Sequence, residues 1–121
     1  MEEIFFFEDG TDRLPRNEMR ITRVHLEPYS DSTRINASFT ITPFEERPNL
    51  SLRITNSSNE ILVTAEILEP LTVTTEITLH LPAGVNSNEL CTLTTKLYYE
   101  DEEPQDTMTT KFYPNGKQIN E

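Results

Sequence analysis

The stretch that decides the fold covers residues 50–81 and reads LSLRITNSSNEILVTAEILEPLTVTTEITLHL. Apolar and polar residues alternate on both sides of residues 56–59, a polar segment short enough to be the turn of an antiparallel hairpin. Pro70 lacks the backbone N–H that a central strand needs, so the chain is expected to bend at Glu69 and Pro70. The stretch therefore predicts a hairpin in one sheet, followed by a crossing to a second sheet.

Alternation of the same kind extends towards both ends of the chain, and no segment shows a helical period. It is clearest where Ile35, Ala37, Phe39 and Ile41 alternate with polar residues. One strand is ambiguous, because apolar residues between positions 60 and 68 occupy both phases. In total the pattern predicts seven strands, at residues 21–27, 35–42, 50–55, 60–68, 72–81, 91–99 and 108–113.

The links between these strands indicate how the sheets are built. Short links join strands one and two, three and four, and six and seven, whereas proline-marked links separate the other neighbours. Hairpins within sheets and crossings between them produce this pattern, so we predict an all-β fold, a seven-stranded antiparallel immunoglobulin-like (Greek-key) β-sandwich. It covers residues 20–113, with an N-terminal tail or edge strand at 1–19 and a C-terminal tail at 114–121. Another seven-stranded Greek key or a small barrel is the alternative.

The strand pattern of residues 19–113 resembles the fibronectin type III kind of immunoglobulin-like sandwich. Leu81 and Pro82 match a leucine and a proline that precede a family tyrosine at the head of the sixth strand. The chain departs from the family pattern at Phe39, where a Trp is usual, and at Leu90, where that tyrosine is usual. The resemblance implies the fold alone, since sandwiches of this class host unrelated functions.

Near the N-terminus, an apolar run is formed by Ile4, Phe5, Phe6 and Phe7. We expect this run to pack on the domain or to add to it as a short edge strand. The functional alternative is a strand that pairs with the sheet edge of another protein.

Charge and composition exclude several classes of function. The net charge of −11, from 10 basic and 21 acidic residues, repels phosphate backbones and anionic lipid head groups. We therefore expect no nucleic-acid and no membrane partner, and no stretch approaches the roughly 20 apolar residues of a membrane span. The single cysteine, Cys91, rules out an intrachain disulfide and is expected to lie in the core.

The first residues do not resemble a secretory signal. Glu2 and Glu3 precede the apolar run, where a signal peptide carries basic residues. As written, the sequence predicts a cytoplasmic protein. An extracytoplasmic location is expected instead if the sequence is a domain excised from a longer exported chain.

Common catalytic and cofactor motifs are missing from the sequence. The glycines Gly10, Gly84 and Gly116 are too far apart to form a phosphate-binding loop. His25 and His80 are expected to point outward from strands about 9 to 10 Å apart, a separation that does not suit a shared zinc ion. We therefore predict no cofactor, no metal site and no enzyme activity.

One constellation of carboxylates is a candidate binding site. In the predicted topology, the loop after the second strand, the bend after the fourth and the loop after the sixth share one end of the sandwich. Their acidic residues are expected to form a single pole that contacts a protein partner: Glu45, Glu46, Glu69, Glu100, Asp101, Glu102, Glu103 and Asp106. A basic protein surface would complement this pole.

Two hypotheses about function follow. The first is a non-catalytic protein-interaction or structural module that works through a sheet edge or through the acidic pole. The second is a calcium-binding β-sandwich module, because Ca²⁺ takes about 6 to 8 oxygen ligands and the pole is rich in carboxylates.

Overall fold

The computed structural model describes residues 12–100 and 102–119. In this part of the chain a 3₁₀ turn at Arg16–Glu18 precedes seven strands. The strands are β1 (Ile21–Pro28), β2 (Arg34–Ile41), β3 (Asn49–Thr55), β4 (Ile61–Leu68), β5 (Thr74–His80), β6 (Cys91–Tyr98) and β7 (Asp106–Phe112). All seven predicted strands are present, with bounds that differ by a few residues.

The strands form two antiparallel sheets. The small sheet has the order β1-β2-β5 and the large sheet has the order β4-β3-β6-β7. β4 and β5 flank the bend at Glu69 and Pro70 but belong to different sheets, which confirms the crossing predicted there. Together the sheets make an immunoglobulin-like β-sandwich whose fourth strand pairs with the third, whereas constant-type immunoglobulin domains place it in the opposite sheet.

The core lies between the sheets and follows the alternation in the sequence. β2, β3 and β6 each contribute every second side chain, and Leu93 and Leu97 of β6 are fully buried. Each large aliphatic side chain buried in this way stabilises the fold by about 1.5 to 3 kcal/mol relative to exposure. The core is formed by Met19, Ile21, Ile35, Ala37, Phe39, Ile41, Phe44, Leu50, Leu52, Ile54, Leu79, Cys91, Leu93, Leu97, Tyr99 and Phe112.

A β-bulge explains part of the ambiguity of the fourth strand. Ile54 of β3 pairs with Val63, but the next residue of β3, Thr55, pairs with Ile61, so β4 carries one extra residue between them. An extra residue in one strand shifts the alternation of its side chains. This shift places both Leu62 and Val63 against the core and directs Ile61 away from it, whereas Leu68 is exposed in the regularly paired part of the strand.

The bend after β4 requires an unusual backbone conformation. Glu69 has a φ angle of 46°, in the left-handed region that few residues other than glycine adopt readily. Its backbone N–H donates to the side-chain oxygen of Asn49 at 3.0 Å, and Asn49 is buried. The polar side chain at the start of β3 thus holds the point at which the chain leaves the large sheet.

The predicted hairpin turn at residues 56–59 is held by Asn56. Its side-chain oxygen accepts hydrogen bonds from the backbone N–H groups of Ser58 and Glu60, both at 2.9 Å. Asn59 takes a left-handed conformation with φ of 64°, which asparagine tolerates better than most residues.

The N-terminal segment lies against the sandwich where the structure describes it. Leu14 forms a parallel bridge with Phe44, and Met19 is completely buried. The apolar run from Ile4 to Phe7 lies outside the described residues.

Candidate functional site

The described carboxylates among those predicted to share one end of the sandwich do lie at that end. Asn49, the first residue of β3, pairs with Leu68 at the end of β4 and with Tyr98 at the end of β6. The loops that follow β2, β4 and β6 therefore meet there. We call this end the acidic pole; its described carboxylates are Glu45, Glu46, Glu69, Glu100, Glu102, Glu103 and Asp106, while Asp101 lies outside the described residues.

Arg16 ties two loops of the acidic pole together. Its guanidinium group donates to both carboxylate oxygens of Glu46, with the Nε–Oε1 pair at 2.9 Å, and to Glu102 at 2.7 Å. The guanidinium carbon lies 4.6 Å from the centre of the Tyr99 ring, in a cation–π arrangement. The hydrogen bond from Arg16 lowers the pKa of Glu46 below its usual value. Two of the predicted binding carboxylates are thus engaged within the molecule.

Other residues of the acidic pole also make internal contacts. The carboxylate of Asp106 accepts a hydrogen bond at 2.8 Å from the backbone N–H of Ile21, and Glu69 forms an ion pair with Arg47 at 3.6 Å. The Tyr99 hydroxyl donates to the backbone carbonyl of Glu46 at 3.0 Å. Burial is the main reason that the pKa of Tyr99 rises to about 12.

Three carboxylates of the acidic pole, Glu45, Glu100 and Glu103, are exposed. Within residues 12–100 and 102–119, their side chains form no hydrogen bond and no ion pair. The predicted binding site is therefore divided into carboxylates that hold loops together and carboxylates that face solvent.

No metal centre is assembled among the residues that the structure describes. No three acidic, histidine or cysteine side chains in this part of the chain group closely enough to hold a metal ion. His25 and His80 lie on β1 and β5, on either side of β2, and His25 hydrogen-bonds to Glu27 at 3.0 Å. Cys91 is buried as predicted, and burial raises the pKa of its thiol.

The outward side of the large sheet has a different character, and we call it the outer face. It carries three cations at strand positions, Arg53, Lys96 and Lys111, against one carboxylate, Glu66. Glu66 is occupied, because it accepts a hydrogen bond from the Tyr98 hydroxyl. A local surplus of two positive charges thus stands on a chain whose net charge is −11. The remaining positions are mostly threonine: Thr55, Thr64, Thr92, Thr94, Thr107 and Thr109.

The outer face is bordered by an apolar edge strand. Ile61 and Leu68, near the two ends of β4, are 57% and 68% exposed, and Leu71 beyond the strand is 47% exposed. β7, the opposite edge of the same sheet, presents Thr107, Thr109 and Lys111 outward instead. Edge strands are usually protected by charges, prolines or bulges, so the exposed apolar residues of β4 mark a candidate contact surface.

Sequence reasoning did not identify the outer face. Lys96 was visible as the only lysine or arginine between residues 54 and 110. Its neighbours were not, because β3 and β6 are adjacent in the sheet but about 40 residues apart in sequence. The apolar residues of β4 were visible in the sequence, but the alternation alone could not show which of them face outward.

Comparison with known proteins places the fold among solved structures. No protein-family model and no curated protein matches the chain. The β-glucuronidase of Bifidobacterium dentium complexed with coumarin-3-O-glucuronide matches 79% of this chain with a TM-score of 0.57 and 13% identity, over 18% of its own length. A β-glucuronidase of Lactobacillus rhamnosus matches 79% of the chain with a TM-score of 0.58 and 15% identity, over 16% of its length.

A glycosyl hydrolase family 2 member from Bacteroides cellulosilyticus matches 78% of the chain with a TM-score of 0.61 and 14% identity. The match covers 14% of that chain. The present chain thus spans less than a fifth of the length of these glycosidases, and at such identities the likeness shows the fold alone. Among the described residues, no helix is long and apolar enough to cross a membrane.

Proposed function

We propose that the chain is a non-catalytic β-sandwich module that packs against another protein surface, and that the contact includes the β4 edge of the large sheet. The observation that carries this proposal is the exposure of Ile61 and Leu68 on a strand that has no partner strand on its outer side among residues 12–100 and 102–119. Each such side chain stabilises a contact by about 1.5 to 3 kcal/mol when it becomes fully buried. An open edge also offers backbone groups to a partner strand.

The structural neighbours support an accessory role of this kind. In the glycosidases named above, the part that resembles this chain amounts to 14–18% of the whole protein. The present sandwich is therefore proposed to act as one module beside a larger glycosidase-like body, either in the same chain or in a partner. Hydrolysis of glycosides is not assigned to the sandwich itself.

The test is affinity capture from a native extract with three versions of the chain as bait. The double variant Ile61→Lys/Leu68→Lys places charge on the proposed contact. The control, Thr74→Lys/Thr78→Lys, adds the same charge to β5 in the other sheet. A genuine partner is recovered in similar amounts with the wild type and the control. With the β4 variant its recovery falls by at least about tenfold, because burying two charges in the contact is costly. Equal recovery with all three baits contradicts the proposal.

A second measurement addresses the absence of catalysis. The isolated chain is incubated with chromogenic aryl β-glucuronide and aryl β-galactoside. We expect no release of the aryl group above the buffer rate. Saturable turnover that survives a second purification step would show that the chain is an enzyme.

The acidic pole is proposed as a second contact, for a basic protein surface. Its support is the exposure of Glu45, Glu100 and Glu103 without partners in the described part of the chain. Changing these three residues to Gln weakens capture of a basic partner, and the effect grows at low salt because exposed charges are screened within about 10 Å at 0.1 M. Capture that ignores both salt and these substitutions contradicts this contact.

A further inference from the structure

Four residues at the centre of the outer face form a square with two cations on one diagonal. Arg53 of β3 is the cross-strand partner of Thr94 of β6, and Ser51 of β3 is the partner of Lys96 of β6. Because residues two apart on a strand share a face, all four side chains point outward. Diagonal neighbours in such an arrangement lie about 7 to 8 Å apart, so one group can contact both cations.

The square has donors whose hydrogen-bonding capacity is not used within the described structure. Neither the guanidinium of Arg53 nor the ammonium of Lys96 forms an ion pair or hydrogen bond with any residue in 12–100 or 102–119. The one carboxylate at a strand position of the face, Glu66, is the cross-strand partner of Ser51 and accepts a hydrogen bond from the Tyr98 hydroxyl. By contrast, Arg16 and Arg47 each have a carboxylate partner.

The size of the depression limits what it can hold. A depression of about 70 Å³ is lined by Ser51, Arg53, Thr94 and Lys96. A water needs at least about 10 to 15 Å³, whereas sites for whole small molecules usually measure about 300 to 1,000 Å³. The depression therefore accommodates one functional group that belongs to a larger body resting on the face.

The chemistry of the square selects an oxyanion. The planar fork of an arginine matches the two oxygens of a carboxylate, while a lysine supplies a second point charge. The hydroxyls of Ser51 and Thr94 can donate to the same oxygens. The net charge of the chain does not prevent this, because screening reduces interactions beyond about 8 Å at physiological ionic strength.

We propose that the square formed by Ser51, Arg53, Thr94 and Lys96 binds a carboxylate side chain of a partner protein. The apolar residues Ile61 and Leu68 lie on the same face, so the whole surface combines an apolar margin with a specific polar centre, as protein interfaces do. This inference rests on the proposed function and adds the chemistry of the partner, an acidic protein surface.

The probe for this site is hexaglutamate with blocked termini, added to the ¹⁵N-labelled chain and followed by NMR. Saturable shifts are expected for the amides of residues 51, 53, 94 and 96. The variant Arg53→Gln/Lys96→Gln weakens this binding by about tenfold, since charge-assisted hydrogen bonds are lost. The control Arg23→Gln/Lys117→Gln removes the same charge away from the outer face and weakens binding by less than about twofold. Unchanged spectra outside the substituted positions confirm that each variant is folded.

Several outcomes would overturn the inference. Equal weakening in both double variants would show that only net charge matters. Absence of shifts at the square, equal shifts with hexaglutamine, or tighter binding of inorganic phosphate than of hexaglutamate would each reject a carboxylate site. Because hexaglutamate bears no apolar side chain, these outcomes do not depend on the β4 edge, and failure of the capture experiment can be told apart from failure of this site.

Discussion

The acidic pole and the outer face differ in what their charged groups do. At the acidic pole, Arg16 holds Glu46 and Glu102, and Asp106 holds the start of β1. On the outer face, Arg53 and Lys96 have no such partners within the described residues. Several charged groups of the acidic pole thus hold the structure together, whereas the cationic donors of the outer face are available to a ligand. The number of charged residues in a region does not by itself locate a binding surface; the contacts that each charge already makes do.

The largest expected difference in stability is between two substitutions at the acidic pole. Asp106→Ala removes an acceptor from the backbone N–H groups of Ile21 and Thr107, which leaves the partly buried Ile21 N–H unsatisfied. We expect the free energy of unfolding to fall by about 2 kcal/mol in urea titrations. Glu103→Ala is the matched control, since its exposed carboxylate forms no hydrogen bond or ion pair in the described chain, and it should change stability by less than about 0.5 kcal/mol. Equal losses would mean that Asp106 is not structural.

A smaller effect is expected from two neighbouring tyrosines. Tyr99→Phe keeps the buried ring and its contact with Arg16 but removes the hydroxyl that donates to Glu46. The unfolding free energy should decrease by about 1 kcal/mol. Tyr98→Phe removes a hydroxyl from the outer face, where water can replace the bond to Glu66, and should cost less than half as much. A larger loss for Tyr98→Phe would reverse the assignment of the two regions.

A third effect concerns the protonation of the acidic pole. Arg16 keeps the pKa of Glu46 below its usual value, so this contact stabilises the folded state above the usual carboxyl pKa and is lost as pH falls through the lowered pKa. In Arg16→Gln, the pKa of Glu46 should return to the usual range. Side-chain carboxyl ¹³C shifts followed by NMR measure this change.

Asp31 provides the internal control for that titration. Its pKa is also lowered, but by hydrogen bonds from Thr33, in the turn between β1 and β2 at the opposite end of these strands from the acidic pole. The pKa of Asp31 should therefore be the same in the wild type and in Arg16→Gln. A shift of both carboxyls would indicate a general change of the fold, and no shift of Glu46 would show that Arg16 does not control it.

Most of the fold was predictable because its determinants are local in sequence. Alternation defined the seven strands, and Pro70 marked the change of sheet. The face of β4 was not predictable, since the bulge opposite Ile54 and Thr55 depends on how β4 pairs with β3. The left-handed conformation of Glu69 depends likewise on Asn49, twenty residues earlier.

The candidate site was harder to predict, for the same reason. The topology sufficed to expect carboxylates at one end, but the sequence did not show that Arg16 would reach Glu102, 86 residues away. Nor did it show that Arg53 and Lys96 lie on adjacent strands. Pairing between distant segments decides which charges are satisfied, and a single sequence carries little information about such pairs.

The smallest effect on stability is expected from substitutions on the outer face. This result would distinguish the outer face most clearly from the acidic pole. Arg53→Gln/Lys96→Gln removes two cations that hold no described part of the chain in place, so the unfolding free energy should stay within about 0.5 kcal/mol of the wild type. Relief of the repulsion between the two cations acts in the stabilising direction. A loss above about 1 kcal/mol in urea titrations would show that these residues support the sheet. A variant that is as stable as the wild type but no longer binds hexaglutamate would show that Arg53 and Lys96 serve binding and not folding.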